Sequence, residues 1–146
     1  MKSSLVFVLT LALAATASAQ QKMERVDGIG GFFFRAKEPK VLAKWYSDHL
    51  GVGLTPTDYG NEPWQQAAGP TAFQPFPENT RYFGDAQKMF MLNFRVRDLD
   101  AMVAQLRGAG IKVDVDPKTY PNGRFASLSD PEGNPIQLWE PKKNAS

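Results

Sequence analysis

The chain has 146 residues, 42% hydrophobic, 12% aromatic and 22% charged, which is the composition of one globular domain and not of a disordered or fibrous chain. It holds no cysteine and one histidine, which excludes disulfide frameworks, thiol nucleophiles, iron–sulfur clusters and metal sites built on two or more imidazoles. Seventeen basic and fifteen acidic residues leave a formal charge of +2 and no basic stripe, so nucleic acid is excluded as a partner.

Residues 1–19 read as a cleaved secretory signal. Met1-Lys2-Ser3-Ser4 is a short positive opening, Leu5 to Ala15 is an apolar run too short to span a bilayer, and Ala17-Ser18-Ala19 fits signal peptidase. The expected mature chain, residues 20–146, is periplasmic or secreted, with no membrane association once the signal is gone.

That mature chain is written twice. Phe34-Arg35-Ala36-Lys37-Glu38 recurs sixty positions on as Phe94-Arg95-Val96-Arg97-Asp98, each an apolar strand ending in arginine, a basic residue and an acid. An amphipathic helix follows each copy: Val41, Leu42, Trp45, Tyr46 and Leu50 share a face in the first, Met102, Val103, Leu106 and Ala109 in the second. Glu38-Pro39 and Asp98 mark the helix starts, and Gly51 and Gly110 the ends.

Period-two alternation then predicts strands at Ile111–Val115, Phe125–Ser129 and Ile136–Trp139, the last two joined by the turn Asp130-Pro131-Glu132-Gly133-Asn134. The first half offers Leu54–Asp58, Trp64–Ala67 and Ala72–Gln74, with Pro75–Gln87 as the loop between the halves. The expected fold is α+β: two βαβββ modules, residues 27–76 and 88–141, with eight strands and two helices in a single domain.

Three segments resemble the vicinal oxygen chelate superfamily of glyoxalase I, bleomycin and fosfomycin resistance proteins and extradiol dioxygenases. They are Trp45-Tyr46-Ser47-Asp48-His49-Leu50-Gly51, Asp98-Leu99-Asp100, and Asp130-Pro131-Glu132-Gly133-Asn134-Pro135-Ile136-Gln137-Leu138-Trp139. Gly28 to Phe34 and Tyr82-Phe83-Gly84 look like a glyoxalase-like subgroup. The resemblance implies that the modules curl their mixed sheet into a cup, where active members hold a divalent metal. It places the metal ligands at Gly31, Met91 and Gln137, and a fourth near Gln74. Glycine offers no donor, a thioether suits hard ions poorly and an amide is neutral, so no metal and no other cofactor is expected. His49 reads as an ordinary helix-end residue.

Alternation assigns the cup face around those positions. Phe33 and Arg35 follow Gly31, Asn93 and Arg95 follow Met91, and Trp139 follows Gln137. These seven, Phe33, Arg35, Met91, Asn93, Arg95, Gln137 and Trp139, are the candidate ligand-binding residues, and no carboxylate shares the face of the two arginines. The expected partner is a small organic molecule with an anionic or aromatic part. The bland alternative makes the arginines rim residues in exposed ion pairs with Glu38 and Asp98. No catalytic residue is assigned; a base from a loop, such as Tyr120 or Glu78, is left open. Also open are a metal-dependent lyase or dioxygenase with another ligand set, an interaction domain with a filled cup, and a homodimer that swaps modules.

Overall fold

Pro39 opens the first helix, where its fixed φ suits the first turn and its missing N–H leaves no orphan donor. The helix, α1, runs Pro39–Leu50 and buries Leu42 and Tyr46, one turn apart on a single face. Gly51 ends it with φ 68, a left-handed conformation in which a Cβ would be strained.

In this computed structural model the described residues are 24–142, and the chain divides into two units between Phe33 and Phe34. The signal reading of residues 1–19 and the predicted start at residue 20 lie outside the described residues. Residues 24–33 form no helix or strand, and Val26 and Phe33 are exposed.

The second unit is α+β. After α1 come β1 (Leu92–Arg95), α2 (Leu99–Gly108), β2 (Asp114–Val115), β3 (Gly123–Ser129) and β4 (Pro135–Pro141). The four strands form one mixed sheet in the order β1-β4-β3-β2, with β1 parallel to β4 and the other pairs antiparallel. Leu128 lies beside Ile136 and Ala126 beside Leu138, so alternate residues stack on one face. With Leu99, Val103 and Leu106 of α2 and Leu42 and Tyr46 of α1 they form the core. Leu99, Leu106, Ile136 and Leu138 are fully buried, each contributing roughly 1.5–3 kcal/mol. Among the described residues no helix is long and apolar enough to cross a membrane.

Residues 130–140 hold both helices by their starts. Asp98 caps α2 as expected, accepting from Ala101 N–H at 2.9 Å. The Glu38 side chain makes no cap for α1; Glu132, from the turn before β4, accepts from the N–H groups of Lys37 and Glu38, both at 2.9 Å. Glu140 of β4 likewise accepts from Leu99 N–H at 2.6 Å. Each carboxylate meets the positive end of a helix dipole.

Asp130 anchors the same turn. It is 4% exposed, and its carboxylate accepts from the N–H groups of Glu132 and Asn134, the Asn134 amide and the Tyr46 hydroxyl. Burial, and next the hydrogen bond to Asp130, push the Tyr46 phenol well above its ordinary range.

The strand count differs from expectation. Of eight predicted strands, four pair among the described residues, all in the second module; the segments at 54–58, 64–67 and 72–74, and the apolar stretch ending at Arg35, join no ladder. Proline accounts for much of this: Pro56 sits inside the first segment, Pro63 precedes the second, and Pro70 and Pro75 flank the third, each removing a ladder donor. The 111–115 strand shortens to Asp114–Val115.

Candidate binding site

Opposite the helices, the sheet carries two rows of side chains in register. One runs Asn93, Gln137, Ser127, Asp114 across β1, β4, β3 and β2. The next runs Arg95, Trp139, Phe125, and Asp116 N–H continues it by donating to Phe125 C=O at 3.0 Å. Trp139 and Phe125 present parallel rings, 6.3 Å between centroids and 7° between planes, and the indole is held by Nε1–H donating to Asn122 C=O at 2.9 Å.

Arg95 and Trp139 line a larger recess, about 620 Å³, between β1 and the segment 64–72. Its basic residues are Arg95, Arg97 and Lys142, and no carboxylate lines it. Arg95 is half-buried, and its guanidinium donates through Nη2 to Ala67 C=O at 2.8 Å. A Cβ at Gly69 would collide with that guanidinium, so the bare glycine backbone is what admits it. Four of the guanidinium's five N–H groups lie outside that bond.

The alternative ion pairs with Glu38 and Asp98 are not seen: among the described residues neither arginine pairs with an acid, Asp98 caps α2, and Glu38 starts α1. Nor are the two arginines equivalent. Arg35 is exposed and lines neither recess, because its stretch joins no ladder to hold it on the sheet.

Asn93 and Gln137 meet, Nδ2–H donating to Oε1 at 2.7 Å, and Gln137 Nε2–H donates to the Tyr82 hydroxyl at 2.9 Å. Tyr82 in turn stacks on Phe76, centroids 5.0 Å apart. Gln137 also lines the smaller recess, about 180 Å³, with Phe125, Ser127, Asp114 and Asp116. The expectation that no carboxylate shares this face is therefore overturned: Asp114 lies in the Asn93 row and Asp116 ends the Arg95 row. Tyr120 donates its hydroxyl to Asp116 at 2.9 Å, which holds the phenol above its ordinary range and makes it a donor rather than the loop base considered above.

Of the seven candidates, Asn93, Arg95 and Trp139 line the larger recess and Gln137 the smaller. Met91 is half-buried just before β1 and lines neither, and Phe33 belongs to the unit ending at that residue. Sequence reasoning missed Tyr82, Asp116 and the 64–72 segment. Tyr82-Phe83-Gly84 was a visible motif; Asp116 had no signal beyond following a strand.

The metal positions implied by the resemblance do not fit a divalent ion. Gly31 has no donor, Met91 offers a thioether, and both ends of the Gln137 amide are engaged. The Gln74 amide bonds Pro75 C=O. Among the described residues no three His, Cys, Asp or Glu side chains converge, and His49 lies against Trp45.

Residues 31–139 match the family described as a glyoxalase-like domain. TnmS3, an antibiotic binding protein from Streptomyces sp. CB03234, is 26% identical over 82% of this chain and 100% of its own, with a TM-score of 0.55. A glyoxalase/bleomycin resistance protein from the same Streptomyces is 43% identical over 36% of this chain and 46% of that one, with a TM-score of 0.32. Escherichia coli (strain K12) YaeR is 38% identical over 69 residues, 45% of this chain and 52% of YaeR, so the chain spans about half of that relative's length.

Proposed function

The chain belongs to the glyoxalase-like domain family, and from that premise we propose that it binds a small organic molecule through an anionic group held by Arg95, without a metal and without turning it over. The observation that carries this reading is the larger recess, which gathers Arg95, Arg97 and Lys142 with no carboxylate among its lining. A guanidinium held by one backbone carbonyl keeps its other donors for a partner, and an anion matches them best. Trp139 beside it supplies an aromatic face. That TnmS3 is an antibiotic binding protein of the same fold supports binding as the role. Binding over turnover is supported by Tyr120, whose hydroxyl is committed to Asp116.

Quenching of tryptophan fluorescence by naphthalene-2-carboxylate, with 2-naphthylmethylamine as the cationic control, tests the reading. The carboxylate is expected to bind, and Arg95→Ala to weaken it roughly ten- to a hundredfold without weakening the amine, since a charge-assisted contact contributes about 1.5–3 kcal/mol. Equal affinity in wild type and Arg95→Ala would remove the arginine from the site. Export belongs to the same proposal: its support is the pattern of residues 1–19, and protein recovered outside the cytoplasm should begin at Gln20 on N-terminal sequencing.

A further inference from the structure

Two charges of opposite sign, neither in an ion pair among the described residues, end one row of the sheet. Arg95 has no carboxylate at ion-pair distance among the described residues, and Asp116 has no cation; Asp114, by contrast, faces Lys112 at 3.6 Å. Between them stand Trp139 and Phe125 with parallel rings. Three inter-strand spacings separate the ends, about 14 Å, beyond the distance at which exposed charges neutralise each other in physiological salt.

Both ends are held in place. The Arg95 guanidinium is fixed by Ala67 C=O and the bare backbone of Gly69. The Asp116 carboxylate accepts from Lys118 N–H at 2.9 Å and from the Tyr120 hydroxyl at 2.9 Å, neutral donors that orient it. Lys118 Nζ lies over the Tyr120 ring, 4.8 Å from its centroid. Trp139 lines the larger recess and Phe125 the smaller, so the ring pair joins the two. Alongside runs the neutral chain Asn93, Gln137, Tyr82, a wall of hydrogen-bonding groups with no charge of its own.

We propose that the two recesses are the two ends of one site, which takes an elongated molecule with a flat aromatic middle, an anionic group at Arg95 and a cationic nitrogen at Asp116. The inference rests on the anion-binding reading of Arg95 and adds its opposite end. A molecule that bridges the row satisfies both charges at once and covers the rings between them; one with only an anion leaves Asp116 unpaired.

Three probes of one skeleton test it: biphenyl-4-carboxylate, 4′-(aminomethyl)biphenyl-4-carboxylate and 4-phenylbenzylamine, titrated by tryptophan fluorescence. The zwitterion is expected to bind wild type about ten times more tightly than biphenyl-4-carboxylate. Asp116→Asn should erase that advantage, and Arg95→Gln should weaken both carboxylates. Equal affinities of the two carboxylates for wild type, a comparison that needs no variant, would overturn the two-ended site while leaving the anion reading in place. So would an advantage that survives Asp116→Asn. Failure of both carboxylates to bind, or indifference to Arg95→Gln, would instead overturn the anion reading itself, and the extension with it.

Discussion

Residues 51–91 carry seven aromatic residues and residues 92–141 four, with five prolines each, yet the second stretch builds the sheet and the first builds none of it. In the first, no residue is buried, and Phe73 and Met89 stand 82% and 86% exposed. In the second, Ile136 and Leu138 are fully covered. The difference is placement. Pro117, Pro121 and Pro131 sit between strands, and Pro135 and Pro141 at the ends of β4, where no ladder donor is lost from the middle. Pro56, Pro63, Pro70 and Pro75 fall inside or against every segment of the first stretch that alternation marks as a strand. Apolar content fills a core only where the backbone can pair beneath it.

The comparison breaks first at Asp130. Asp130→Ala strands the buried Tyr46 hydroxyl and three further donors of the turn, and should cost about 3–5 kcal/mol by urea denaturation. Leu138→Ala comes next at about 2–5 kcal/mol, against within about 0.5 for Phe73→Ala; a large loss at Phe73 would mean the first stretch packs after all.

Tyr46→Phe should cost about 1.5–3 kcal/mol near neutral pH, and it has a pH signature. The folded phenol ionises above its ordinary value of 10.0, so its stabilisation is complete below pH 10.0 and is lost as pH climbs toward the folded value. Melting temperatures from pH 8 to 11 should fall in wild type and fall less steeply in the phenylalanine variant.

The smallest effect lies at Asp100, whose carboxyl is held below its ordinary 3.8 by the hydrogen bond from Arg124 of β3. That contribution is present above pH 3.8 and disappears as pH falls through the lowered value, so Asp100→Asn should narrow the drop in melting temperature between pH 5 and pH 2 only slightly.

What sequence reasoning reached follows the same divide. The faces of α1 and α2, the Asp98 cap, the Gly51 stop, β3 and β4 were legible because each depends on neighbours within a few residues. The alternation that marked β1 and β4 also brought Asn93, Arg95, Gln137 and Trp139 to one face. Strands in the first half were misjudged because alternation specifies a face but not a partner, and pairing is non-local. Arg35 was matched to Arg95 on repeat symmetry, which the paired strands of only one module do not support. Asp116 and Tyr82 stayed hidden because a turn and a loop, not a period, carry them to the sheet.

Both helices are held at their N-termini by glutamates that lie later in the chain, Glu132 and Glu140, and β1 and β3 meet only through β4. Every element so joined precedes its fastener. A chain that emerges N-terminus first therefore presents α1 and α2 without these two carboxylates, and β1 without a partner strand, until residues 132–140 arrive.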